Sequence, residues 1–157
     1  MRIRAGIVLI QGNKVALIER HLAGLHYFVF PGGGVDEGES PEQAAVREAR
    51  EELGIEVALK QKVAIIHLGQ KSRQAYFLAE QTGGKFGTGT GEEYTDPDPA
   101  NSDEGLYIPV WMPIEELPLH ENVHPADVAR LVVKSVQAGW QEVSAVFVEE
   151  PKNNLRK

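Results

Sequence analysis

Three carboxylates, Glu48, Glu51 and Glu52, fall inside a segment with strong helix signals. Ser40 can cap its start, Pro41 suits the first helical position, Gln43 completes a capping box, and Gly54 is the expected stop. At about 100° per residue the three carboxylates share an arc of about 100°. Ala44 and Ala45 lie on the same side and are too small to crowd them, while Val46, Ala49 and Leu53 form the expected buried stripe. Arg47 falls about 40° from Glu51, close enough to pair with it. Like charges at i, i+3 and i, i+4 weaken an isolated helix, so a face built this way wants a cation. With no His or Cys beside them, all-oxygen ligands suit magnesium or manganese rather than zinc. The plain alternative is a solvated acidic face.

The rest of the chain must hold that helix. Its 157 residues fit one domain, 1–157, and 42% hydrophobic content is enough for a core. The chain has no cysteine, which excludes disulfides, thiolate metal sites and a cysteine nucleophile. No apolar run is long enough to span a membrane, and Met1–Leu9 lacks the apolar stretch of a signal peptide. The expected setting is the cytoplasm. Strands are expected over 3–10, 15–19, 27–30, 57–67, 73–80, 106–112 and 142–148, with a turn or short helix at 113–117 and a second helix over 125–138. Residues 83–105 read as a long polar segment, and 151–157 as a frayed tail. Strands with interspersed helices predict an α/β (α+β) domain, a mixed β-sheet flanked by helices.

The net charge of −7 is unevenly placed. Residues 33–55 hold seven acidic and two basic side chains, and residues 92–104 hold six acidic and none basic, which leaves the remainder at +4. An acidic chain without a basic stripe argues against a nucleic-acid partner.

From Gly33 through Glu39 to Arg47-Glu48-Ala49-Arg50-Glu51-Glu52-Leu53-Gly54-Ile55, the segment resembles a complete Nudix box, the signature of the Nudix hydrolases. Phe28-Val29-Phe30-Pro31-Gly32-Gly33-Gly34 is similar to the entry into that box, and Trp111-Met112-Pro113 with Glu115-Glu116-Leu117 to the family's late strand and turn. The resemblance implies an α/β/α sandwich and cleavage of a nucleoside diphosphate linked to another moiety. It implies Mg²⁺, with Mn²⁺ as substitute, held by Glu48, Glu51 and Glu52, with Glu52 central. Glu39 is a further ligand or a water-mediated one. Arg47 orients Glu51, and Gly33 and its neighbours let the chain turn beside the site. The general base is either a box glutamate or an acid from the later loop, where Glu104 is preferred over Glu92, Glu93, Asp96, Asp98 and Asp103 as an extra metal ligand or base.

Recognition of the substrate is less sharply written. Arg4, Arg20 and Arg73 could reach phosphates. Tyr27, Phe28, Tyr76 and Trp111 could stack on a base, although strand aromatics are more often core. The five histidines show no ligand spacing, and His120 and His124 read as surface residues. The expected substrate is a small nucleotide, such as a nucleoside triphosphate or an oxidised one. Nucleotide sugars, ADP-ribose, dinucleoside polyphosphates and a silent sensing module are the alternatives. Many Nudix enzymes are dimers, so the resemblance allows a homodimer.

Overall fold

The computed structural model describes residues 1–89 and 105–149. In chain order they form β1 (Arg2–Gln11), β2 (Lys14–Leu22), β3 (Leu25–Val29), β4 (Gly32–Gly34), α1 (Pro41–Leu53), β5 (Ile55–Leu68), β6 (Ser72–Gly84), β7 (Leu106–Pro113), a 3-10 helix (Ile114–Leu119), β8 (Val123–His124), α2 (Ala126–Ala138) and β9 (Ala145–Glu149). The strands form a mixed sheet ordered β8-β3-β2-β1-β6-β5-β9, with β4 also paired to β1 and β7 to β2. The expected α/β/α arrangement is what forms, with α1 on one face and α2 on the other.

Alternation along β1 shows how the layers are filled. Ala5, Ile7 and Leu9 point to a cluster with Ala44, Ala45, Ala49 and Leu53 of α1. Val8 points to the other cluster, with Val128, Ala129 and Val132 of α2. A strand buried on both faces reads as a continuous apolar run, which is why Ile3–Ile10 alternates so poorly.

Strands β1 and β2 pair only near their turn, at Ile10–Val15 and Gln11–Lys14. Beyond it β1 runs parallel to β6 and antiparallel to the glycine strand β4. Strand β2 is gripped between β3 and β7.

Several elements run longer than the sequence pattern indicates. Strand β6 continues to Gly84, taking in the start of the expected polar segment. A Cβ at Gly84 would lie 2.5 Å from the Gly54 carbonyl oxygen, so only glycine lets β6 pass the joint between α1 and β5. Residues 90–104 of that segment lie outside the described residues, as does the expected tail.

The β2–β3 hairpin carries no strong sequence signal, yet it closes on a two-residue turn. Ala23 (φ 52°) and Gly24 (φ 81°) both take positive φ, as a type I′ turn demands. Alanine is the wrong residue there, because its Cβ is strained in left-handed backbone. Ala23→Asn should therefore raise the unfolding free energy by about 1 kcal/mol, read by urea denaturation. An unchanged or lower stability would refute the turn assignment.

Candidate active site

Helix α1 is built as its caps predict. Ser40 accepts from the Gln43 N–H, the Gln43 side chain accepts from the Ser40 N–H, and Gly54 ends the helix at φ 78° with its N–H on the Arg50 carbonyl. The buried residues are Ala44, Ala45, Ala49 and Leu53, with Val46 only half-buried. The buried stripe keeps the expected Ala49 and Leu53, has Val46 packed at its margin, and extends to Ala45 and Ala44, because the alanines let α1 lie close against the sheet. Glu48 and Glu52 fall between Ala44 and Ala45 around the helix, inside the packed arc and not on a separate solvated face.

The glycine strand β4 receives them. The Gly32 N–H donates to Glu52 Oε1 at 2.7 Å. A Cβ at Gly33 would collide with the carboxylate of Glu48, whose side chain is only 14% exposed. A Cβ at Gly32 would lie 2.5 Å from the Ala5 carbonyl oxygen. Glycine is needed here for close approach.

The guanidinium of Arg47 ties the acids together. It donates through Nε to Glu39 Oε2 at 2.8 Å and through Nη2 to Glu39 Oε1 at 2.9 Å, a bidentate pair. Nη2 also donates to the Gly34 carbonyl at 2.9 Å. Nη1 donates to Glu48 Oε2 at 3.0 Å and to Glu51 Oε1 at 3.3 Å. The expected Arg47–Glu51 pair therefore exists, but it is the longest of these bonds. The principal partner, Glu39, sits across the loop, where helical spacing gives no hint of it.

Glu39 also accepts from the Asp36 N–H at 3.0 Å. Hydrogen bonds from Arg47 and then Asp36 hold its carboxyl at about 2, below its ordinary 4.5. The same pairing raises Arg47 above the ordinary guanidinium range. A cleft of about 650 Å³ opens beside this pair, lined by Asp36, Glu39, Glu42, Gln43 and Arg50 among others.

The proposed substrate contacts do not converge on that cleft. Arg20 places its guanidinium 3.7 Å from the centre of the Tyr107 ring and 5.8 Å from that of Tyr27, its two cross-strand partners, and its Nε donates to the Leu106 carbonyl at 3.2 Å. Arg73 is exposed and lines a separate pocket of about 210 Å³ with Lys62, His67 and Pro41. Phe28 is buried in the α2-side core, its ring edge-on to His120 at 5.4 Å. Tyr76 is buried in the same core, and burial pushes its hydroxyl pKa up. Trp111 instead lies on the α1 side, stacked on Phe86 at 4.6 Å, a partner the sequence reading did not single out. Glu104 lies outside the described residues.

Spacing along the chain does not show one grouping of histidines that the fold makes. Hairpin pairing sets His21 opposite His26, and both reach Glu19.

A divalent cation fits the donor set on α1. Its acids offer oxygen only, which suits a hard ion, and the space that a Cβ at position 33 would take is filled by the Glu48 carboxylate. A mixed sheet between helices, with a carboxylate-bearing helix seated on a glycine strand, defines a Nudix-type domain. The NUDIX domain family matches residues 1–132, and the chain belongs to that family, whose hydrolases generally use a divalent metal.

The chain is 39% identical over 61 residues to an 8-oxo-dGTP diphosphatase of Proteus vulgaris, a match covering 36% of this chain and 53% of that one. It is 27% identical over 133 residues to an RNA pyrophosphohydrolase of Teredinibacter turnerae, covering 74% of this chain and 75% of that one. The chain spans about half the length of the first of these relatives. A NUDIX hydrolase of Nitrosomonas europaea superposes with a TM-score of 0.74 at 19% identity, covering 95% of this chain and 78% of that one.

The Glu39 carboxyl is depressed in the folded state, so its contribution to stability is full above about 4.5 and fades as pH falls toward about 2. Urea midpoints followed down that range should fall less steeply in Glu39→Gln than in the wild type. Identical slopes would remove Glu39 from the acid limb. Arg47→Lys cannot make the bidentate pair and should lose about 1–2 kcal/mol by the same measurement.

Proposed function

We propose that the protein is a magnesium-dependent pyrophosphohydrolase that cleaves the diphosphate linkage of a small nucleotide. Nucleoside triphosphates, oxidised ones included, are the favoured substrates. The observation that carries this reading is the all-carboxylate edge of α1, seated on the glycine strand and braced by Arg47.

In this reading Glu48, Glu51 and Glu52 hold the cation, with Glu52 central. When bound, such an ion offsets the charge of the diphosphate and lowers the pKa of a water for attack at phosphorus. The chain supplies position. The Gly32 N–H fixes Glu52, the room at Gly33 admits Glu48, and Arg47 restrains both Glu48 and Glu51. Glu39, with both oxygens already accepting N–H bonds, acts through Arg47 and not as a direct ligand. Glu104, which precedes β7 in the sequence, is the proposed base.

Arg20, clamped between Tyr27 and Tyr107, and the Phe86–Trp111 stack are the proposed phosphate and base contacts; both aromatic sets border the α1 side of the sheet. The name carried by the Proteus vulgaris relative supports a damaged nucleoside triphosphate as substrate. A cytoplasmic setting and a homodimer belong to the same reading.

A hydrolysis screen tests it, run over nucleoside triphosphates, 8-oxo-dGTP, nucleotide sugars, ADP-ribose, dinucleoside polyphosphates and 5′-triphosphorylated RNA, with Mg²⁺ and with Mn²⁺. Turnover of a small nucleotide, abolished by chelation, is expected. Preference for the RNA would transfer the assignment to the activity named for the Teredinibacter turnerae relative, and turnover of nothing would make the domain a sensor. Glu52→Gln should cost about 10³-fold or more in kcat, with the melting temperature little changed; an unaltered rate removes Glu52 from the site. Glu104→Gln with wild-type kcat would return the base to a box glutamate. Gly33→Ala, which displaces the Glu48 carboxylate, should cost about 1–3 kcal/mol of stability and lower kcat as well.

A further inference from the structure

A second group of ligand atoms gathers away from α1, on the β2–β3 hairpin. Glu19, His21 and His26 each place one such atom within 4.8 Å of the other two. Glu19 and His21, two residues apart on β2, point to the same face. His26 is the cross-strand partner of His21. The two imidazoles are stacked, 4.3 Å between centres and 7° from parallel. The Nε2 atoms of both aim at one carboxylate oxygen, Glu19 Oε2, at 3.3 Å from His21 and 2.6 Å from His26.

We propose that Glu19, His21 and His26 form a binding site for a first-row transition ion, with zinc the leading candidate. The reading stands apart from the assignment of α1.

The donor chemistry selects the ion. Two imidazoles and a carboxylate suit zinc, copper or nickel, whereas magnesium prefers oxygen alone. In a tetrahedral site with bonds of about 2.0–2.1 Å, neighbouring ligand atoms stand about 3.3–3.4 Å apart. The Glu19–His21 spacing of 3.3 Å already meets that value. The Glu19–His26 spacing must open by about 0.7 Å, a small rotation for a ring 49% exposed. Three protein ligands leave one position open for water or an anionic ligand.

The platform is rigid, as a preorganised site requires. Strand β2 is held on both sides, by β3 and β7. The Asn122 side chain donates to the His26 carbonyl at 2.9 Å. Gly105 lies so close to the His21 carbonyl that a Cβ there would collide with it. Phe28 lies 5.3 Å from the His26 ring and gives the site an apolar wall. The two sites on this chain would thus divide cations by softness, a hard ion on α1 and a borderline one on the hairpin.

Calorimetric titration of the tag-free, metal-stripped full chain with zinc chloride in excess magnesium tests the proposal. One zinc per chain is expected, bound at least tenfold more weakly by His21→Gln/His26→Gln and undiminished in Glu48→Gln/Glu52→Gln. Equal affinity in the histidine variant, loss only in the glutamate variant, or no binding would each overturn it. Should the histidine variant fold poorly, ¹⁵N imidazole resonances of the wild type decide. Zinc should shift the Nε2 signals of both His21 and His26, and unmoved signals refute the site.

Discussion

The arrangement of this domain depends on one guanidinium. Three glutamates on neighbouring turns of α1 would repel one another and weaken the helix that bears them. Arg47 offsets that repulsion from within the same helix, and its fork also reaches Glu39 and the Gly34 carbonyl. Helix, preceding loop and glycine strand are therefore tied at a single side chain. The bond to Gly34 draws β4 and α1 together, and the bonds to Glu39 fix the loop between them. Lysine offers no equivalent, since one ammonium cannot present parallel donors to a carboxylate and still reach a carbonyl and two further acids.

Close packing then sets where the acids lie. Ala44, Ala45 and Ala49 are fully buried against the sheet, Gly33 leaves room for the Glu48 carboxylate of the helix, and Gly32 lets β4 lie against Ala5 of β1. The carboxylates consequently sit at the level of the sheet, where backbone N–H groups can reach them, as the Gly32 N–H reaches Glu52. The small residues thus serve two close approaches, of α1 to the sheet and of β4 to β1.

What the sequence disclosed follows from the range of each interaction. The caps of α1, the clustering of its glutamates and the order of the elements are local, and residues near one another in the chain carry them. The wheel marks Ala49 and Leu53 as buried but not the further reach of the packed arc to Ala44 and Ala45, which contact distance and not hydrophobicity decides. The Arg47–Glu39 pair went unread because loop geometry decides it. The Glu19–His21–His26 group was invisible for a related reason: its spacing along the chain means nothing until the Ala23–Gly24 turn sets the register. Phe28 and Tyr76 follow the general habit of strand aromatics and are core, whereas Trp111 takes its place through Phe86, from a segment with no motif.

The pairing of β1 bears on how such a domain comes together. Its antiparallel bonds to β4, and the bonds of β4 with α1, join residues close in the chain, so the acidic helix and its glycine seat can collapse as a local unit. The other edge of β1 is parallel to β6, whose residues arrive much later in the sequence. Parallel ladders between distant segments require a long loop to close before any contact rewards it. The charged machinery thus rests on short-range contacts, while the platform beneath it is completed by a strand on the far side of α1 and β5.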